Sequence, residues 1–390
     1  LLTIKTHGKQ EQAQLLIVYT KSRLKIEGVN MRICYLSDAN SVHTKKWCSF
    51  FKDLGYDIHV ISLNNGDIPG VTVHSFNIDS EKVEKESLLY KVEYFKFIAK
   101  VRKLVEKIKP DILHAHYATS YGFLGGLTGF HPYIISVWGS DVYEFPKKNI
   151  ICQKFLEKNL SRADIILSTS KAMAEETKKY TYKDIQITPF GVDINIFKPF
   201  DSRYKEKEKV IIGAIKTFDS KYGIEYLIRA FGELCHSYDN IELQLAGRGP
   251  LEESLKKLCK ELNIEDRVKF LGYIDQKKVV ENFNKFDIAV IPSLFESFGV
   301  SAVEAQACGT PTIVTNTGGL PEATSPNNSS IVVETKNVSQ LKNAIEKLIL
   351  DKELRRKMGE YGRKFVIENY NVLDNFNNVN NIYTSALELR

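Results

Sequence analysis

From Met31 onward, short apolar runs alternate with longer stretches whose apolar residues recur at helical spacing, and the alternation runs through the chain twice. This pattern constrains the fold more than any other feature. Strand-length apolar runs fall at 31–36, 57–62, 111–115, 133–137, 164–168 and 185–188, with amphipathic segments at 43–54, 86–108, 147–160 and 171–179. Strands separated by helices imply βαβ units, hence a parallel sheet covered by helices on both faces. Near Gly191-Val192-Asp193 the pattern breaks. Phe197-Lys198-Pro199-Phe200 and the charged run Lys205 to Lys209 read as a linker. A second series follows, with strands at 210–215, 241–246, 267–271, 287–291, 311–315 and 330–333, and helices at 221–236, 250–263, 276–284, 299–308 and 337–358.

The fold class expected is therefore α/β, with two Rossmann-like, doubly wound parallel-sheet domains facing each other across a cleft. Such sheets bind ligands at the carboxyl ends of their strands, at the switch point. The expected boundaries are 31–197 for the first domain and 198–369 for the second, with a C-terminal helix at 370–390 packing back on the first. Residues 1–30 form an extension of unknown role. Its one apolar patch, Leu15 to Tyr19, is too short for a membrane anchor and lacks the small-residue cleavage pattern of a signal peptide.

Composition removes several function classes. At 43% hydrophobic and 26% charged residues, the 390-residue chain has ample material for two cores and is neither disordered nor collagenous. No run of ~18 apolar residues is present, so no helical span is expected. Six cysteines without a C-x-x-C pair argue against a zinc ribbon and fit reduced thiols in the cytoplasm. A net charge of +6 is mild and spread along the chain, so nucleic acid is not an expected partner. A dinucleotide oxidoreductase is disfavoured, because G-x-G-x-x-G does not follow the first strand.

The densest signal lies at 291–322. A strand ends at Pro292, a loop carries Glu296, Gly299 opens a helix, Glu304 lies eight residues after Glu296, and Gly309 closes the helix. Amides of Ser297, Phe298, Gly299 and Val300 at the helix start would be orphan donors at a positive dipole end, which suits a diphosphate. Read singly, both glutamates are equally well solvated surface charges. Read together, E-S-F-G, the second Glu, A-C-G-T-P-T-I-V and T-G-G-L-P-E resemble the E-x7-E motif of retaining nucleotide-sugar glycosyltransferases of family 4 (glycosyl transferases group 1), which have the GT-B architecture. The likeness is strongest over 205–325.

The resemblance implies specific roles. Glu296 would contact the donor sugar, Glu304 the ribose, and the amides of Phe298, Gly299 and Val300 the sugar and diphosphate. The family's Gly-Arg and Lys-Gly cations correspond to Lys216, where Arg is usual, and Lys221, with Tyr222 inserted before Gly223. Lysine keeps the charge but loses the bidentate fork. Without the resemblance, both lysines read as solvated charges. Gly247 and Arg248 in Ala246-Gly247-Arg248-Gly249-Pro250 resemble the family's nucleotide-pocket turn, or form a plain turn. Ile274 resembles the residue whose backbone pairs with the base.

The first half departs more from the family. Ser37-Asp38-Ala39-Asn40-Ser41-Val42-His43 replaces a Gly-Gly loop. His114 and His116 flank a strand end and are open to three readings: metal ligands lacking companions, buried structural histidines, or, as the resemblance implies, His116 beside the donor sugar with His114 supporting the strand. Trp138 and Asp141 in Val137-Trp138-Gly139-Ser140-Asp141 resemble the acceptor-side His-Gly-Ser-Asp. Trp138 would stack on a sugar or lie in the core, and Asp141 would meet substrate or cap the following turn.

The chain is thus expected to be a metal-independent, retaining glycosyltransferase with no cofactor; no D-x-D metal signature occurs. Its donor would be a nucleotide sugar, UDP-linked by default and GDP-linked as the alternative, and its acceptor a glycan, a lipid-linked glycan or a small molecule. His116, Glu296 and Lys221 are the expected catalytic residues. A UDP-sugar epimerase of the same architecture and a non-catalytic nucleotide- or nucleic-acid-binding protein are the alternatives. The segment 81–109, with nine Lys/Arg against five Glu, reads either as a solvated helix or as a peripheral contact with anionic lipid at the inner membrane face.

Overall fold

The computed structural model describes residues 30–76, 88–201 and 208–389. Residues 1–29, the segment 77–87 and most of the charged run, expected respectively as extension, start of a basic helix and linker, lie outside the described residues. Contacts divide the rest into two compact units, one of 30–167, 177–186 and 376–389 and one of 168–176 and 187–375.

The first unit is built on a seven-stranded sheet. Its strands are β1 (Arg32–Leu36), β2 (Asp57–Ser62), β3 (Thr72–Ser75), β4 (Ile112–His116), β5 (Tyr133–Val137), β6 (Ile165–Ser168) and β7 (Ile185–Ile187), in the order β3-β2-β1-β4-β5-β6-β7. β1 pairs parallel with β2 and β4, in registers Arg32↔Asp57 and Ile33↔Ile112. β4 and β5 are buried at every position, as a strand covered on both faces must be. The pattern reading misses β3, a four-residue edge strand with no buried residue, whose Thr-Val-His-Ser text carries no apolar run. It also misses the short helix Ser120–Gly126, whose three glycines and serine do not announce a helix.

The helix Leu88–Ile108 buries Val101, Val105 and Ile108 against the sheet and turns Arg102, Lys103 and Lys107 to solvent. That is the spacing of an ordinary sheet-covering helix. No helix among the described residues is long and apolar enough to cross a membrane. The last helix, Val372–Ala386, places Phe376 against Phe50 (ring centroids 4.8 Å) and Tyr383 against Phe51 (5.1 Å) in the core of this unit.

The second unit carries β8 (Val210–Ile215), β9 (Ile241–Ala246), β10 (Val268–Gly272), β11 (Ile288–Ile291), β12 (Thr312–Thr315) and β13 (Ser330–Val333), in the parallel order β10-β9-β8-β11-β12-β13. The helix Ile224–Cys235 shows why such a layer forms. Ile224, Leu227, Ile228, Phe231 and Leu234 recur at helical spacing and are all buried under the sheet. Each such side chain contributes roughly 1.5–3 kcal/mol on leaving water. The single helix expected at 337–358 is instead two, Val338–Leu350 and Lys352–Asn369. Asp351 breaks the run: its backbone leaves helical angles and its side chain accepts the Leu354 amide at 2.8 Å, capping the second helix.

Candidate active site

In an open parallel sheet the loops after neighbouring strands splay apart where the strand order reverses. In the second unit that point lies at β8, which has β9 on one side and β11 on the other. Lys216 follows β8, Gly247 and Arg248 follow β9, and Glu296 lies on the loop after β11, so these expected donor residues gather at the carboxyl ends of the central strands.

Lys216 and Glu296 form an ion pair, with side chains only 11% and 12% exposed. Ser293 Oγ donates to the same Glu296 oxygen at 3.4 Å. The surrounding backbone fixes this pair. Lys216 N donates to Ala246 O at 3.0 Å, and Phe218 N to Arg248 O at 3.0 Å. A Cβ on Gly247 (φ +143°) would lie 1.8 Å from Lys216 O, so no other residue lets the two turns touch. On the other side, Gly319 N donates to Glu296 O at 3.3 Å, and a Cβ on Gly318 (φ +49°) would lie 1.7 Å from that same oxygen. The glycines of T-G-G therefore brace the Glu296 loop.

Lys221 is exposed on a short 3-10 turn, Ser220–Tyr222, whose start is capped by Asp219. Lys221 O accepts the amides of Leu294 (2.8 Å) and Phe295 (3.2 Å), tying this turn to the Glu296 loop. The helix Val300–Ala307 begins at Gly299 (φ +110°) with no side-chain cap. The amides of Phe298, Gly299 and Val300 find no acceptor among the described residues. Such a start is ready to take an anion. The Phe298 side chain itself is buried, 5.3 Å from Tyr370 ring to ring, so only its backbone is available to a ligand. Ser297 offers its carbonyl to Ser170 Oγ at 2.7 Å. Glu304 is half-buried, in the second turn of the helix. Ile274 is half-buried beyond β10, two strands from β8.

The first unit has its own cluster at its switch point, between β1 and β4. His116 ends β4, and its Nδ1 lies 2.9 Å from Ser37 Oγ at the end of β1; that hydroxyl lies 2.6 Å from Thr44 Oγ1. His116 Nε2 is buried with no partner among the described residues. Trp138 packs on its ring with centroids 4.3 Å apart, and Trp47 at 4.9 Å. Burial, reinforced by His114 and His43, holds the His116 imidazole well below its ordinary range and therefore neutral. His114 spends both nitrogens inside the unit, 2.6 Å from Tyr383 Oη and 2.8 Å from Ser136 Oγ, and burial lowers its pKa to about 3.

Asp141 does not cap the turn that follows it: the helix Ser140–Tyr143 has no side-chain cap, and the Asp141 side chain turns back to the loop before it. Its carboxylate accepts the amides of Ala118 (2.8 Å), Gly139 (2.8 Å) and Trp138 (3.2 Å), and it is 1% exposed. Burial pushes this carboxyl up, against the pull of those amides. Asp141 thus shapes the loop that presents Trp138.

Several residues were not legible as site components. Tyr117, directly after His116, takes a left-handed backbone (φ 78°) that a tyrosine does not advertise. Ser37 and Thr44 are unremarkable in text and meet His116 only through strand pairing. Glu322, the last residue of the motif, accepts the Lys171 amide at 2.7 Å at the start of the helix Lys171–Thr177.

Comparison with known proteins bears on both units. The family profile Glycosyl transferase 4-like matches residues 32–170, and Glycosyl transferases group 1 matches 196–365. The chain is 28% identical over 342 residues to an N-acetyl-alpha-D-glucosaminyl L-malate synthase of Bacillus anthracis, covering 81% of this chain and 86% of that protein. It is 33% identical over 235 residues to a D-inositol 3-phosphate glycosyltransferase of Corynebacterium jeikeium, covering 55% of each. In fold it is similar to a sucrose-phosphate synthase from Thermosynechococcus elongatus (TM-score 0.80, 19% identity, 92% of this chain and 100% of that one). It is also similar to Anabaena HepE, solved in complex with UDP-glucose (TM-score 0.75, 17% identity, 91% and 100%).

Proposed function

The chain belongs to the group 1 glycosyltransferases of GT-B fold, and from that premise we propose that it is a retaining, metal-independent enzyme that takes its sugar from a UDP-linked donor. The observation that carries this reading lies at the carboxyl ends of the central strands of the second sheet. There a partly buried ammonium–carboxylate pair, a second lysine and uncapped helix amides meet at the switch point. In the reaction, the bond from the anomeric carbon to the diphosphate breaks, the acceptor oxygen bonds to that carbon from the same face, and the acceptor proton passes to the departing diphosphate oxygen.

Negative charge grows on the diphosphate as the bond lengthens. Lys216, Lys221 and the amides of Phe298, Gly299 and Val300 supply positive potential there, preorganised by the backbone contacts described above. Glu296 takes sugar hydroxyls once Lys216 turns to phosphate, Glu304 takes the ribose, and Gly247, Arg248 and Ile274 frame the base. Within the first unit, His116, held neutral, has an Nε2 without a partner among the described residues, a hydrogen-bonding group beside the Trp138 ring. UDP is favoured over GDP because a neighbour of the same fold was solved with UDP-glucose. The acceptor is a glycan, a lipid-linked glycan or a small molecule; relatives named for L-malate and for D-inositol 3-phosphate add weight to the small-molecule arm.

A thermal-shift panel of nucleoside diphosphates and nucleotide sugars tests this. A ligand that binds only the folded chain raises Tm by mass action. UDP and one UDP-sugar are expected to raise it, with no added metal required. A panel in which no nucleoside diphosphate shifts Tm would sink the reading.

A further inference from the structure

The turn that carries Lys221 also carries Tyr222, the residue inserted ahead of Gly223. Its half-buried ring has Lys216 Nζ 4.7 Å from its centroid and Lys221 Nζ 5.3 Å from it. Two ammonium groups held near one ring repel each other. An aromatic face, negative at its centre, offsets that repulsion for any cation within about 6 Å of the centroid. The ring is itself anchored. Asp219 caps the turn, Lys221 O holds the amides of Leu294 and Phe295, and a Cβ on Gly223 (φ +61°) would lie 2.2 Å from Pro292 O, so the turn presses directly on the loop after β11.

We propose that Tyr222 is a positioning residue for donor binding: its ring face gathers Lys216 and Lys221 into one dicationic cradle for the diphosphate. The ring matters most in this chain because position 216 is a lysine. An ammonium on a flexible stem has no planar fork to orient it, so the orientation comes from outside the side chain, from Glu296 before the donor arrives and from the Tyr222 ring throughout. When the diphosphate displaces Lys216 from Glu296, the ring keeps the ammonium within reach. This inference rests on the donor-site reading given above.

The test is UDP affinity by calorimetry, across a salt series, for the full chain and four variants. Tyr222→Leu is expected to weaken UDP binding roughly threefold to thirtyfold, the loss of two cation–ring contacts. Tyr222→Phe, which keeps the ring, is expected to stay within about twofold of the parent. In a Lys216→Met/Lys221→Met background, adding Tyr222→Leu is expected to cost nothing further, since the ring then has no cations to gather. Three results would overturn the proposal: Tyr222→Leu binding UDP like the parent, Tyr222→Phe failing as badly as Tyr222→Leu, or an undiminished Tyr222→Leu penalty in the double-lysine background. If the parent chain binds neither UDP nor GDP, the donor-site reading falls as well; in the first three cases the parent binds and that reading survives.

Discussion

At the scale of single residues, the Lys216–Glu296 pair decides most. Both partners are nearly out of water, so each depends on the other. Glu296→Ala strands the Lys216 ammonium and, on the proposed donor-site reading, removes a sugar contact. It is expected to lower kcat/KM by ~100-fold or more while costing about 1–3 kcal/mol of stability; steady-state kinetics and urea titration measure the two effects. A variant that transfers sugar at the parent rate would refute the assignment of Glu296. Gly318→Ala acts on the same group from the backbone. Its methyl would collide with Glu296 O at a left-handed φ, so the Glu296 loop must move and donor KM should rise, with Tm lowered. The E-S-F-G…E text singled out Glu296 because that string lies within one loop and helix start, although its Lys216 partner is 80 residues away. Ser37, Thr44 and Tyr117 were not, because their meeting with His116 depends on which strands pair.

At the scale of elements, the break at Asp351 illustrates what periodicity overlooks. Apolar spacing runs through it almost unbroken, whereas a side-chain acceptor at the right place ends one helix and starts another. Asp351→Ala is expected to destabilise the chain by about 1 kcal/mol, the usual cost of losing an N-cap, and chemical denaturation would register it as a lower midpoint. An unchanged midpoint would mean that packing, not capping, holds this corner. Strands were legible where an apolar run marks them, whether buried on both faces, as β4, β5 and β9 are, or at an edge, as β7 is, and illegible at β3, whose Thr-Val-His-Ser carries no such run.

At the scale of the molecule, the final helix is the clearest long-range dependence. It lies next in sequence to the second unit, yet Phe376 and Tyr383 fill the core of the first, and Tyr383 Oη sits 2.6 Å from His114. Ending the chain at Asn371 should open that core, seen as dye binding and early proteolysis within 30–167; an unaltered digestion pattern would contradict this. The same buried histidine predicts acid sensitivity. His114 titrates near 6.5 unfolded and at about 3 folded, so between those values the unfolded chain binds the extra proton. Its contribution to stability is complete above 6.5 and is lost as pH falls toward 3, at up to about 1.4 kcal/mol per pH unit. His114→Gln, which keeps a polar group without a titration, should flatten the fall of Tm over that window. The sequence by itself determined the two α/β series, the motif loop and its anion-ready helix start, since hydrophobic period and local turn chemistry act over a few residues. Tertiary structure alone decided that Lys216 meets Glu296, that one tyrosine ring faces two lysines, that Ser37 reaches His116, and that the last helix closes the first unit. Those contacts join residues far apart in the chain, and only strand order brings them together.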